Sequence, residues 1–154
     1  MKNKKKAKWE SEPKGSKQAT FIEPDVLSQT PVWSFLRTDF DGIPKTRKVV
    51  WRRLSIDDIV SMFEHLKSYE QRTWNAIIHE NRRRDHPMPI STLINEAREY
   101  LTNTLRIDQG DEIFRLRFEG KIRLWGFKKP GSRVFEIIWF DPEHEIYPVE
   151  KKGT

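Results

Sequence analysis

The residues best suited to chemistry lie near the carboxyl terminus, in residues 139–148. His144 stands there between two glutamates and three positions after Asp141. Neighbouring carboxylates raise the pKa of an imidazole, so we expect a protonated His144 near neutral pH that donates a proton to a leaving oxygen. The alternative is structural, with Asp141 tying an Asp-Pro turn through the backbone and His144 capping the edge of a sheet.

A second group of candidates is basic and lies on two predicted strands just upstream. Its members alternate with apolar residues, and they are Arg115, Arg117, Lys121, Arg123 and Trp125, with Lys128 as a further nucleic-acid-binding candidate. If the apolar sides face the helices, this group shares the opposite, solvent-facing side of the sheet. Basic groups neutralise phosphate charge and an indole stacks on a base, so the pattern predicts binding to single-stranded RNA. The alternative is an ordinary solvated sheet face that interleaves arginines with Glu119 and Glu136.

Several kinds of site are excluded by what the sequence lacks. The chain has no cysteine, which rules out disulfides, thiolate nucleophiles and thiolate metal sites. Its four histidines, at positions 65, 79, 86 and 144, do not have the spacing of a known metal site. Gly-rich phosphate loops and Gly-x-Ser-x-Gly elbows are missing, which argues against the usual nucleotide-driven and acyl-transfer enzymes. We therefore predict neither a metal nor another cofactor.

The positive charge is concentrated at the amino terminus. Residues 1–20 hold seven lysines against two glutamates, and this accounts for most of the net charge of +6. The segment lacks hydrophobic periodicity, so we predict a disordered lysine-rich tail at residues 1–20 and a single domain at residues 21–154. Such a tail either lies along phosphates or is simply a solvated terminus. No apolar run is long enough to span a membrane, and we expect a cytoplasmic protein.

The periodicity of the remaining sequence predicts an α+β domain with helices packed on one face of a sheet. The predicted elements are one strand at residues 32–40, helices with amino-terminal caps at Ser55, Ser68 and Ser91, and a three-stranded antiparallel meander between Asp111 and Phe140. These elements place the basic group on the first two strands of the meander. They place His144 just after its last strand.

The C-terminal half resembles a family of small uncharacterised bacterial and phage proteins. The resemblance covers about residues 32–150, is sharpest in the last 40 or so residues and includes the Trp-x-Asp-Pro-x-His-x-x-Tyr-Pro segment at 139–148. More distantly, helices followed by a basic meander resemble the RelE/ParE toxin superfamily, whose ribosome-dependent members cut mRNA. By that resemblance Arg117 and Arg123 stabilise the phosphorane and orient the scissile phosphate. His144 or Tyr147 then transfers a proton.

Two functions from different classes are consistent with these observations. The first is an RNA-binding protein that acts on RNA or the ribosome as a metal-independent endoribonuclease toxin of a toxin–antitoxin system. The alternative is a non-enzymatic interaction module whose sheet face contacts an acidic, antitoxin-like protein. The first function predicts RNA cleavage and the second predicts none.

Overall fold

The computed structural model describes residues 25–80 and 84–148 and has an α+β fold. Its helices and strands, in chain order, are β1 (Val32–Ser34), α1 (Ile56–Tyr69), α2 (Trp74–Glu80), β2 (His86–Pro89), α3 (Asn95–Glu99), β3 (Glu112–Arg117), β4 (Arg123–Lys128) and β5 (Val134–Asp141). Helix α3 continues into a π-helical turn at Tyr100–Thr104. Short 3₁₀ turns occupy Val26–Ser28, Trp51–Arg53 and Ile90–Thr92. The predicted tail at residues 1–20 lies outside the described residues.

All five strands belong to one mixed sheet with the order β1-β5-β4-β3-β2. Strand β1 runs parallel to β5, and the other neighbours are antiparallel. The predicted meander is therefore only the centre of the sheet, and the prediction of a three-stranded meander is wrong. Strand β2 escapes prediction because Pro87 and Pro89 break the strand pattern, although proline is tolerated at a sheet edge.

The first two helices cover one face of the sheet. From α1 and α2, Met62, Leu66, Trp74 and Ile77 pack against apolar residues of the strands, and these are Phe114, Leu116, Leu124, Phe135, Ile137 and Phe140. Trp74 and Ile77 are completely buried. Complete burial of one large apolar side chain contributes about 1.5–3 kcal/mol, so this layer is a major source of stability.

A second layer covers the opposite face, which the sequence predicted to be solvated. It contains Ala97 and Leu101 from α3 and its π-helical turn, the loop residues Ile43 and Val49, and Ile146 after β5. These residues pack on Trp125, Ile138 and Trp139 of the sheet. The prediction that helices cover only one face is therefore wrong. A β-bulge at Ile138 contributes to the difference, because it lets Ile138 and Trp139 join the same core cluster.

The start of α1 is the best-predicted boundary. Ser55 caps it through a capping box in which the Ser55 and Asp58 side chains each accept from the other's backbone N–H. The cap predicted at Ser68 is wrong, because Ser68 is an internal residue of α1. Thr73 instead accepts from the Ala76 N–H at the start of α2, at 3.1 Å.

None of the helices within residues 25–80 and 84–148 combines the length and the hydrophobicity that a membrane span requires.

Candidate nucleic-acid interface

Three arginines meet where β3 ends and β4 begins. Arg117 pairs with Arg123 across the two strands, and Arg115 pairs with Trp125. Residues that pair directly project to the same face of a sheet, as do residues two apart on one strand. Arg115, Arg117 and Arg123 therefore share the face that α3 covers, at the end of the sheet beyond its apolar layer. We call these three residues the arginine cluster.

The cluster is a concentrated and incompletely neutralised positive charge. Burial, followed by repulsion from Arg115 and Arg117, lowers the pKa of Arg123 to about 10. Burial and the charge of Arg117 also lower the pKa of Arg115. Among the residues that the structure describes, no carboxylate oxygen comes within 4.0 Å of a guanidinium nitrogen of the cluster. All three side chains remain cationic at neutral pH and together attract an anion.

The arginine cluster also retains unused hydrogen-bond donors. The Nε atoms of all three arginines are buried and have no hydrogen-bond partner in the described part of the chain. Other guanidinium nitrogens are held in place: Arg115 Nη2 lies 2.9 Å from Nε2 of His86, and Arg123 Nη1 donates to the Gly120 carbonyl at 2.7 Å. These Nε atoms have no exposed surface, so an anion reaches the cluster from the solvent side, where Arg115 and Arg117 are partly exposed.

His144 lies beside this cluster in an unusual backbone conformation. Its φ of 58° is in the left-handed region, which residues other than glycine adopt at a cost and often at functional sites. The Nδ1 atom is buried, the imidazole lies beside the backbone of His144 and Tyr147, and the ring centroid lies 6.1 Å from that of Tyr147. Burial, followed by the positive charges of Arg123 and Arg115, lowers the pKa of His144. The expectation of a raised pKa is therefore wrong, and the imidazole is neutral at pH 7.

The two glutamates next to His144 do not offset these positive charges because they are engaged elsewhere. Glu145 accepts the backbone N–H of Arg47 at 2.7 Å and that of Lys48 at 2.9 Å. Glu143 forms an ion pair with Arg47 at 2.7 Å. The two glutamates are therefore adjacent to His144 in sequence but do not raise its pKa.

Asp141 holds the turn that carries His144. Its side chain is completely buried and accepts from Trp125 Nε1 at 3.2 Å, from the Glu145 N–H at 2.8 Å and from the Ile146 N–H at 3.0 Å. Burial raises the pKa of Asp141 to about 6 despite these donors. The structural role predicted for Asp141 as the tie of the turn is confirmed.

Sequence reasoning missed two residues behind the arginine cluster. Asp85 is buried, and its Oδ1 accepts from the Arg117 N–H and from the Tyr69 hydroxyl, both at 2.8 Å. His86, the next residue, contacts the guanidinium of Arg115. Both belong to a proline-containing edge strand or precede it directly, so no periodicity marked them. Their position next to a run of arginines was the only available signal.

The remaining predicted residues do not join the cluster. Trp125 is completely buried and donates to Asp141, so the prediction of an exposed stacking indole is wrong. Lys121 is exposed in the connection between β3 and β4. Lys128 lies with its Nζ 5.3 Å from the ring centroid of Trp74, on the face that α1 and α2 cover. The structure thus brings together Arg115, Arg117, Arg123, His144 and Tyr147.

Comparison with protein-family models, with curated proteins and with solved structures gives no match to this chain. The site therefore has to be interpreted from its own geometry. Residues 25–80 and 84–148 contain no group of histidine and carboxylate side chains arranged to hold a metal ion. The chemistry available from the described side chains is anion binding by arginine and proton transfer by histidine or tyrosine.

Proposed function

We propose that the protein binds single-stranded RNA at the arginine cluster and cleaves it without a metal ion. The observation that carries this proposal is a cluster of three arginines with no carboxylate ion-pair partner among the described residues, beside His144 with its lowered pKa. Guanidinium groups bind phosphate oxygens in a directed way and stabilise negative charge that develops during reaction. A phosphodiester supplies the negative charge that the cluster lacks.

The proposed reaction is an internal transesterification of the RNA. Neutral His144 takes the proton of the ribose 2′-hydroxyl, and the 2′-oxygen forms a bond to phosphorus. The bond from phosphorus to the 5′-oxygen breaks, and this oxygen takes a proton from Tyr147 or from water. The products are a 2′,3′-cyclic phosphate and a 5′-hydroxyl. His144 acts here as a base, because its lowered pKa makes it a poor proton donor at neutral pH.

In this proposal the arginines stabilise the charge of the phosphorane. Arg117 and Arg123 face each other across β3 and β4, so a phosphate between them meets two cations. Arg115 lies within electrostatic range of both Arg123 and His144. Removal of one such donor in other enzymes lowers the rate by about a hundredfold to a thousandfold.

The direct test is cleavage of a labelled single-stranded RNA in the presence of EDTA. The intact chain should give a cyclic phosphate end, whereas Arg123→Ala and His144→Gln should reduce the rate at least about a hundredfold. Lys128→Ala removes one positive charge from the other face of the sheet and is the matched control. Cleavage that persists in both site variants, or that EDTA abolishes, contradicts the proposal.

A toxin of a toxin–antitoxin system makes a further prediction in living cells. Tightly induced expression of the intact chain in a bacterial host should arrest growth and protein synthesis. The double variant Arg123→Ala, His144→Ala should leave both unchanged. Equal arrest by the two chains would show that the toxicity does not depend on Arg123 and His144.

A non-enzymatic interaction module is the second candidate, and one specific feature favours it. Ile56, Val60 and Phe63 form an apolar stripe along α1 and are 80%, 48% and 54% exposed. Apolar surface of this kind marks contacts with other proteins. Under this alternative the arginine cluster receives a carboxylate of an acidic partner, and purified protein cleaves no RNA.

A further inference from the structure

A pair of aromatic rings is presented on the surface by the chain between β1 and α1. Phe40 is 53% exposed, and its ring centroid lies 5.3 Å from that of Trp51, with the ring planes inclined at 55°. Phe35 contacts Trp51 from another direction, with ring centroids 6.5 Å apart. Trp51 is itself partly buried against the core layer of α1 and α2. Phe40 is therefore the most exposed member of a supported aromatic group, in which Phe35 is 36% exposed.

The exposure of Phe40 is imposed by a well-anchored turn. Asp39 Oδ2 accepts from Trp139 Nε1 at 2.8 Å, and Asp39 Oδ1 accepts from the Gly42 N–H at 2.9 Å. Gly42 has a φ of 75°, and a Cβ there would lie 1.9 Å from the Val49 carbonyl oxygen. No other residue fits this position without displacing the backbone. The turn thus fixes the backbone on both sides of Phe40 and leaves its ring in solvent.

The chain that follows this ring contributes two exposed cations. Residues 43–54 contain five basic residues and no acidic one, but Lys45, Arg47 and Lys48 form ion pairs with Glu96, Glu143 and Asp58. Arg52 and Arg53 are exposed on the 3₁₀ turn that begins with Trp51, and Arg53 Nη1 is positioned by the Thr46 carbonyl at 3.0 Å. Asp41 is the exposed carboxylate adjacent to Phe40. An exposed ring with guanidinium groups nearby is the combination that binds single-stranded nucleic acid.

The same stretch of chain connects the aromatic pair to the arginine cluster. The backbone N–H groups of Arg47 and Lys48 bind Glu145, which follows His144 directly. From there the chain continues to Trp51 within three residues. The chain that carries Trp51 is therefore anchored beside the candidate site, while Arg47 and Lys48 are themselves ion-paired with Glu143 and Asp58.

We propose that Phe40, supported by Trp51, stacks on a base of the single-stranded RNA whose phosphate occupies the arginine cluster. This inference rests on the proposed function and adds a site that recognises bases to one that recognises phosphates. A protein partner is the competing occupant of apolar surface. The aromatic character of the exposed ring and the neighbouring Arg52 and Arg53 favour a nucleic acid, whereas the stripe on α1 contains two aliphatic residues of three.

The test measures binding by fluorescence anisotropy with two labelled oligonucleotides that have the same number of phosphates. One is a 2′-O-methyl RNA, which lacks the attacking hydroxyl and stays intact, and the other is abasic. The intact chain should bind the oligonucleotide with bases more tightly. Phe40→Ala and Phe40→Leu should weaken that binding about tenfold, which is the typical cost of losing one stacked base. Neither variant should change binding of the abasic oligonucleotide.

Matched variants separate stacking from general apolar contact. Phe40→Tyr keeps an aromatic ring and should retain the affinity of the intact chain. Val60→Ala alters an exposed apolar residue on α1 and should have no effect. Asp41→Asn removes the carboxylate next to Phe40 and should tighten binding of both oligonucleotides. Far-UV circular dichroism confirms that each variant is folded.

The outcomes distinguish this inference from the function on which it rests. If Arg115→Ala weakens binding of both oligonucleotides but Phe40→Leu weakens neither, the stacking site is wrong and the phosphate site stands. If the intact chain binds neither oligonucleotide, both proposals are wrong. Equal loss in Phe40→Leu and Val60→Ala would indicate nonspecific apolar contact and would also overturn stacking.

Discussion

His144 combines a left-handed backbone, a buried Nδ1 atom and two neighbouring arginines. Burial, followed by the charges of the arginines, favours its neutral form, and the left-handed conformation is maintained by the turn that Asp141 ties. A neutral imidazole can accept a proton at physiological pH. It is a poor proton donor, because only the protonated imidazolium donates readily. The residue predicted from sequence as an acid is thus better suited to act as a base.

The pH dependence of RNA cleavage distinguishes these two roles. A base must be unprotonated, so the rate should rise with pH through a midpoint below 6.5, the ordinary pKa of histidine, and reach a plateau near neutrality. The measurement is the single-turnover rate between pH 4.5 and 8. A rate that instead falls through a midpoint above 6.5 would show an acid with a raised pKa. His144→Gln should abolish the acidic limb.

Among the elements, the turn between β5 and Ile146 depends most on one side chain. The pKa of Asp141 is raised to about 6 from 3.8, so the folded state binds its proton more strongly than the unfolded state does. The stabilisation that this difference in pKa contributes is fully present below about pH 3.8. It is lost as the pH rises through about 6. Asp141→Asn should therefore cost more stability at pH 5 than at pH 7, as measured by urea unfolding. A cost that grows with pH would contradict this assignment.

The β-bulge makes a second prediction at this scale. Gly126 pairs with Ile137 beside the bulge, and a Cβ on Gly126 would lie 2.2 Å from the Glu136 carbonyl oxygen and 2.5 Å from the Phe135 ring. Gly126→Ala should destabilise the protein by about 1–3 kcal/mol, the usual cost of overpacking. Thermal unfolding measures this loss. Gly110→Ala, where the nearest atom lies 3.2 Å away on an exposed Asp108 side chain, is the control and should have little effect.

Elements with a strong local signal were predicted, and elements set by distant contacts were not. The cap at Ser55 and the alternation in β3 directly encode α1 and the centre of the sheet. In contrast, β1 is three residues long and pairs in parallel with β5, about a hundred positions later. No local pattern reports such a pairing. The prolines of β2 concealed the other edge strand.

For the whole molecule, the main difference between prediction and structure is the second covering layer. Alternation correctly predicted that Arg115, Arg117 and Arg123 share a face, because it depends only on the period of a strand. It could not show that Trp125 on the same face is buried, since the cover comes from α3 and from irregular chain around Ile43 and Ile146. Irregular segments carry no periodicity. The sequence pattern therefore predicted an exposed sheet face that is covered in the structure.

The lysine-rich residues 1–20 carry most of the net positive charge of the whole molecule. Deleting them should weaken RNA binding and make the affinity less dependent on salt, because fewer phosphates are neutralised. On a single strand the slope should fall by about 0.7 for each phosphate that these lysines neutralise in the intact chain. Cleavage in EDTA and its dependence on Arg123 should remain. The measurement is affinity across a salt series for both chains, and complete loss of binding and cleavage on deletion would assign RNA recognition to the tail.

The central claim is that the arginine cluster receives RNA phosphate, and NMR of the arginine Nε–H groups tests it most directly. The intact chain is titrated with a 2′-O-methyl single-stranded RNA, and assignments come from single Arg→Lys variants. We predict that the signals of Arg115, Arg117 and Arg123 shift together at one affinity. The Arg133 signal should stay unchanged, because its Nε already donates to the Thr30 carbonyl at 2.9 Å. Stationary cluster signals at saturating RNA would contradict the claim.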